Sequence, residues 1–245
     1  MKYMGSKARF AKDIYECIVN MQPTGRDSRP WVEPFAGGMN MICEVPGEEG
    51  PRYANDINKF LISCFRHISR GWIPPAHISL DLYLRCKALD PSLPDYVIGY
   101  VGINSSYSGK WFGGYAGITK TRTGIIRDYQ AEALRNVLKQ VPKLEGIKYC
   151  SKPYEQLIYP HNSIIYCDPP YAGTTKYSSD FDSLKFWSWV RMMSKKHTVY
   201  VSEYAAPRDF KCIWMHKACS SLRLNSRSEK NVAKTSVEKL FVIKP

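Results

Sequence analysis

Residues 164–171 read Ile-Ile-Tyr-Cys-Asp-Pro-Pro-Tyr, a continuous apolar run followed by a carboxylate, two prolines and an aromatic ring. A short apolar run bounded by turn residues suits a strand buried on both faces, as in a parallel sheet. In open α/β sheets ligands bind at the carboxyl edge of the strands, so Asp168 stands where chemistry is expected. The prolines fix φ and carry no N–H, leaving carbonyls free to accept from a ligand. An exocyclic amine offers two N–H donors, one for Asp168 and one for the carbonyl of Pro169. Accepting both draws the nitrogen from planar conjugation toward a tetrahedral form whose lone pair can attack a methyl group. Tyr171 supplies a flat face for the base, and such stacking is worth ~1–3 kcal/mol. A strand ended by an Asp-Pro-Pro turn is the plain structural alternative.

Upstream, Phe10, Ile14 and Ile18 recur at four-residue spacing and predict a helix broken by Pro23-Thr24-Gly25. A strand is predicted over residues 31–35, running into Ala36-Gly37-Gly38, and a second over 52–55, closed by Asp56. Phe60, Leu61, Cys64, Phe65 and Ile68 then mark one face of an amphipathic helix that ends at Gly71. Strand, helix, strand, helix is the pattern of a doubly wound α/β sheet.

The middle differs. Residues 96–127 hold no acid but seven glycines, six aromatics and four basic residues, and read as a loop-rich insertion. Asp128 is placed to cap another helix with Leu134, Val137 and Leu138 on its buried side. Strands at 147–150 and 163–167 follow, then a helix capped by Asp182 or Ser183 and carrying Phe186, Trp187, Val190 and Met193. Strands over 198–201, 211–215 and 237–243 close the chain, the last two as a hairpin.

The net charge is +13, an excess that fits a polyanionic partner. No run of eighteen apolar residues exists, so no membrane span is expected. Met1-Lys2-Tyr3-Met4-Gly5 carries no apolar signal region. The eight cysteines form no Cys-x-x-Cys and show no histidine at ligand spacing. They read as thiols in a reducing cytoplasm, and no metal is expected.

Two further segments gain meaning beside Asp168. In Trp31-Val32-Glu33-Pro34-Phe35-Ala36-Gly37-Gly38 the glycines allow a tight turn and close approach of a cofactor to the backbone. The pattern is not GxGxxG, which disfavours a dinucleotide. Asp56, at the end of the next strand, is placed to accept from ribose hydroxyls or to cap the Phe60 helix. Lys2-Tyr3-Met4-Gly5-Ser6-Lys7 alone is a helix start with Ser6 as cap.

Together, KYMGSK at 2–7, VEPFAGG at 32–38, NDIN at 55–58 and DPPY at 168–171 resemble the D12 class of DNA adenine N6-methyltransferases, the Dam-like family of bacteria and phages. The pieces occur in the order of its α-group, over residues 2 to about 204. The resemblance implies a mixed, mostly parallel seven-stranded sheet of the S-adenosylmethionine-dependent methyltransferase fold. Residues 1–70 and 128–245 would form the catalytic domain, and 71–127 the target-recognition insertion. It implies S-adenosylmethionine as cofactor, held by Tyr3, Lys7, Phe35, Gly37, Asp56 and Asp168, and Asp168, Pro169 and Tyr171 as the catalytic set. The partner implied is double-stranded DNA whose target adenine is flipped out, contacted through Lys110, Trp111, Lys120, Arg122 and Arg127. A monomer is expected, a dimer being the alternative, in a prokaryotic or phage-infected cytoplasm. The context implied is restriction–modification or a solitary enzyme. Two positions depart from the family: Met39 stands where its loop often has a final glycine, and Tyr3 where tryptophan is frequent. An RNA or cytosine-N4 methyltransferase, a DNA-binding module without turnover, and a protein for another nucleotide are the competing readings.

Overall fold

The computed structural model describes residues 1–22, 28–121, 123–170, 181–219 and 235–244. Along the chain run α1 (Ala11–Asn20), β1 (Trp31–Glu33), β2 (Arg52–Asn55), α2 (Lys59–Ile68), α3 (Leu80–Lys87) and α4 (Asp95–Asn104). Then come β3 (Ile118–Lys120), β4 (Ile126–Asp128), α5 (Tyr129–Leu138), β5 (Ile147–Cys150) and β6 (Ile164–Cys167). The series closes with α6 (Ser183–Met193), β7 (Thr198–Glu203), β8 (Phe210–Cys219) and β9 (Thr235–Ile243). Seven strands in the order β5-β2-β1-β6-β7-β9-β8 give the expected mixed, mostly parallel sheet. The chain divides into two compact units, Met1–Tyr159 and Pro160–Pro245.

In the first unit, β1 runs parallel to β2, and β2 to β5. The face predicted for α1 is the one it buries, with Ala11, Ile14 and Ile18 inward. Neither Ser6 nor any other side chain caps it: the cap position is Phe10, and Ser6 accepts instead from Ala8 N. Buried Arg52 opens β2 and donates at 3.0 Å to the carbonyls of both Val45 and Lys143, and to that of Glu145. One guanidinium thereby satisfies three loop carbonyls that would otherwise lose their water.

The middle segment is more regular than its glycines suggest. Residues 96–104, read as loop, lie in α4, whose turns from Ile98 to Asn104 are wholly buried. A helix buried on all sides has no polar face and therefore no amphipathic period. Its Val, Ile and Gly content also runs against helix propensity. α4 packs on α2 at Gly99, where a Cβ would fall 2.6 Å from the Phe60 carbonyl carbon. β3 and β4 then form a two-stranded antiparallel ribbon, with Lys120 opposite Ile126. Asp128 caps α5 as expected, accepting from Gln130 N and Ala131 N. Leu138, expected on the buried side of α5, is exposed, and Gln130, Ala133 and Val137 fill that side. Val137 and Leu138 are neighbours about 100° apart on the helix, so only one can face the core.

In the second unit, β6 is buried at all four positions and lies parallel to β7. β7 pairs antiparallel with β9, and β9 with β8, the hairpin ending expected, bulged between Cys212 and Trp214. Asp182 caps α6 by accepting from Lys185 N at 2.9 Å. Trp187 of that helix lies 4.7 Å from Phe210, centroid to centroid. Among the described residues no helix is long and apolar enough to cross a membrane. The cysteines at 43, 64, 86 and 167 are buried.

Candidate active site

The first unit gathers Tyr3, Gly37 and Asp56 into one cluster at the carboxyl edge of β1 and β2. After β1 the chain turns through Ala36, whose N–H donates to the Asn55 carbonyl at 2.8 Å, and Gly37 enters the left-handed region at φ +46°. This aims the Gly37 N–H at Asp56 Oδ2, 3.0 Å away, while Oδ1 accepts from Asn58 N at 2.9 Å. Burial raises the Asp56 carboxyl above its ordinary value, opposed by these N–H donors at Asn58 and Gly37. Each oxygen still has a lone pair for a further donor.

Asp56 does not cap α2. Asn58 does, accepting from Phe60 N at 3.1 Å and Leu61 N at 3.2 Å. Asp56 is therefore left to the loop.

Tyr3 lies over the two glycines. A Cβ on Gly37 would stand 2.9 Å from Tyr3 Cε1, and one on Gly38 would stand 2.7 Å from Tyr3 Cβ. Glycine is required at 37 twice over, by φ and by the ring. Met39, the departure from the family loop, adopts φ +57° and is fully buried. The loop thus takes the left-handed turn of a glycine while its side chain fills the core. Lys7 is buried and donates from Nζ to the Gly5 carbonyl at 3.1 Å. Phe35 meets Tyr154 at 5.2 Å between ring centroids.

Sequence reasoning missed the supports. Gln140, just past α5, donates from Nε2 to the Gly38 carbonyl and to Asn40 Oδ1, both at 3.1 Å. Asn40 Nδ2 donates to Ser6 Oγ at 2.7 Å and to the Met1 carbonyl at 3.1 Å. Asn55 Nδ2 donates to the carbonyls of Pro34 and Lys152, each at 2.9 Å. Asparagine at 58, two before an apolar run, was a readable cap signal; Gln140 carried none.

In the second unit, Asp168 follows β6 half-buried, and Pro169 is buried. Beneath them Tyr166 Oη and Ser202 Oγ share a buried hydrogen bond of 2.7 Å that ties β6 to β7. Tyr171 lies outside the described residues, as does Arg122. Of the other residues expected to contact DNA, Lys110 and Lys120 are exposed. Trp111 is half-buried, stacked on Phe60 at 6.0 Å and covering Gly102. Arg127 is already engaged, donating twice to the Glu132 carboxylate at 2.9 and 2.6 Å and lying 4.7 Å over the Tyr129 ring. Among the described residues no group of three or more His, Cys, Asp or Glu could hold a metal ion.

No curated protein sequence matches the chain. Among solved structures it is similar to SMU.472, a proposed methyltransferase crystallised in complex with SAH, at 9% identity and a TM-score of 0.38. The likeness covers 97% of this chain and 53% of that one, so the chain spans about half its length. Residues 3–79, the span that carries Tyr3, Lys7, Phe35, Gly37 and Asp56, match the model of the D12 class N6 adenine-specific DNA methyltransferase family.

Proposed function

We propose that the chain transfers a methyl group from S-adenosylmethionine to N6 of an adenine flipped out of duplex DNA. The observation that carries this is the Asp56 carboxylate held by Gly37 N–H beneath Tyr3, inside the span that matches an adenine-methyltransferase model. Bound in that cluster, the cofactor would supply a methyl group activated by its sulfonium. Asp56 suits the ribose hydroxyls, because a carboxylate pinned by backbone donors is oriented in advance and accepts charge-assisted hydrogen bonds. Tyr3, over the Gly37–Gly38 loop, and Phe35, just before that loop in the chain, are the aromatic side chains on offer to the donor. In the other unit, Asp168 and the Pro169 carbonyl, directly after the buried β6, would accept the two amine hydrogens. Asp168 stabilises positive charge as it develops on the nitrogen.

The inserted ribbon supports duplex DNA as the partner. Cross-strand partners share a face, so Ile118, Lys120 and Ile126 point to one side of the β3–β4 ribbon. Ile118 and Ile126 are 67% and 71% exposed. A two-stranded ribbon fits the major groove, and an apolar side chain there can meet a thymine methyl while lysine meets phosphate. Arg127 is set apart from this, since Glu132 balances its charge.

Three measurements test the proposal. Incubation with labelled donor and duplex DNA, followed by nucleoside chromatography, should give N6-methyladenine. N4-methylcytosine would replace the base assignment, and no methylated nucleoside would overturn the activity. Asp56→Asn should weaken donor binding by about 10- to 100-fold, the equivalent of one charge-assisted hydrogen bond; parental affinity by calorimetry would remove Asp56 from the cofactor site. Lys110→Ala combined with Lys120→Ala should flatten the plot of log affinity for duplex against log salt by about 0.9 for each phosphate no longer neutralised. A slope equal to the parent's would take the insertion off the phosphates.

A further inference from the structure

The 107–114 turn also builds the amino-terminal motif. Met4 N donates to the Gly109 carbonyl at 3.1 Å. Gly109 sits at φ +64°, and a Cβ on it would lie 2.7 Å from the Lys2 carbonyl oxygen and 2.9 Å from Tyr3 N. The turn that carries it is itself strained, with Ser108 at φ +58°, and is pinned by Tyr107 N donating to the Gly114 carbonyl at 3.0 Å. A continuous path of touching groups therefore runs from the 107–114 turn through the Lys2–Met4 backbone and Tyr3 to the Gly37–Gly38 loop and Asp56.

We propose that Gly109 is a positioning residue for the cofactor, acting through Tyr3. Only a residue without Cβ lets the turn press against the Lys2–Tyr3 peptide, and that pressure sets the height of the Tyr3 ring over Gly37 and Gly38. A shift of the peptide by a few tenths of an ångström moves the ring off the face it shares with the loop. The insertion would then govern donor affinity without touching the donor. This rests on the reading of the Tyr3–Gly37–Asp56 cluster as the cofactor site.

The test is calorimetric titration with S-adenosylmethionine of the full chain and its variants. Gly109→Ala should raise Kd at least tenfold. Gly146→Ala is the control: its φ of +73° carries the same backbone penalty, but a Cβ there meets nothing within 4 Å, and its Kd should equal the parent's. Met4→Pro attacks the pairing from the other side without adding an atom to the turn. Ser6 N donates to the Tyr3 carbonyl at 3.1 Å and Gly5 sits at φ +79°, the pattern of a type II turn. Such a turn accepts proline at Met4, so this variant loses the N–H to Gly109 and keeps its fold, and Kd should again rise. The decisive arm is the double variant Tyr3→Ala with Gly109→Ala. If Gly109 acts through Tyr3, the pair binds no more weakly than Tyr3→Ala alone. Parental Kd in Gly109→Ala and Met4→Pro, or additive losses in the double variant, would overturn the positioning role. A parent chain that binds no donor would overturn the cofactor reading itself, and the positioning role with it.

Discussion

Asp168→Ala is expected to slow methyl transfer to duplex DNA by about three orders of magnitude, the usual cost of removing a group aimed at charge that develops in a transition state. The expectation follows from where the residue sits. All four positions of β6 before it are buried, and the Tyr166–Ser202 hydrogen bond fixes the strand from below. Pro169 behind it is buried and has no φ freedom to lose. The carboxylate therefore stands on a rigid strand end, where misplacement by even an ångström matters. Single-turnover rates at saturating donor and duplex isolate the chemical step from binding. Asp168→Asn should lose nearly as much, because its amide keeps one acceptor but brings donors against an amine that is itself a donor. A rate within tenfold of the parent in either variant would remove Asp168 from the reaction.

β6 was readable because burial on both faces leaves the same mark in every residue: four apolar side chains without alternation. The loop after β1 was readable in part. Glycines at 37 and 38 foretold a tight turn and an acid at 56 foretold an acceptor, and Gly37 N–H meets Asp56 Oδ2. What fixes that loop was not readable, since Gln140 reaches the Gly38 carbonyl from 102 positions away through a hydrogen bond that only folding creates. α4 failed for a different reason. Period is a contrast between faces, and α4 from Ile98 to Asn104 has only one kind of face. Its glycines look like loop residues in a window of sequence, but Gly99 and Gly102 are where Phe60 and Trp111 press against the helix. Leu138 shows the converse error: an apolar residue beside the true buried position was counted with it.

If those glycines are points of close approach, Gly99→Ala should destabilise the fold strongly, against the local preference. Alanine in a helix interior is favoured over glycine by about 1 kcal/mol, so a loosely packed α4 would be stabilised by the change. The geometry opposes this. The added Cβ would lie inside van der Waals distance of the Phe60 carbonyl, 2.6 Å from its carbon and 3.0 Å from Cys64 Cβ. Both belong to α2, whose Leu61, Cys64 and Phe65 are themselves fully buried. A backbone carbonyl in a helix cannot rotate aside, so α2 and α4 must part along their shared length. Overpacking of this kind costs about 1–3 kcal/mol, and more where backbone must move. A net loss of about 3 kcal/mol is expected, read as a fall in Tm of about 10 °C. Gly102→Ala supplies the comparison. Its Cβ would meet the rings of Trp111 and Phe112, half-buried side chains that can shift where a helix carbonyl cannot, so its loss should be smaller. A Gly99→Ala variant that melts at or above the parent would mean that α2 and α4 do not touch at Gly99. The order Gly99→Ala below Gly102→Ala below parent is the signature of helix backbones pressed together.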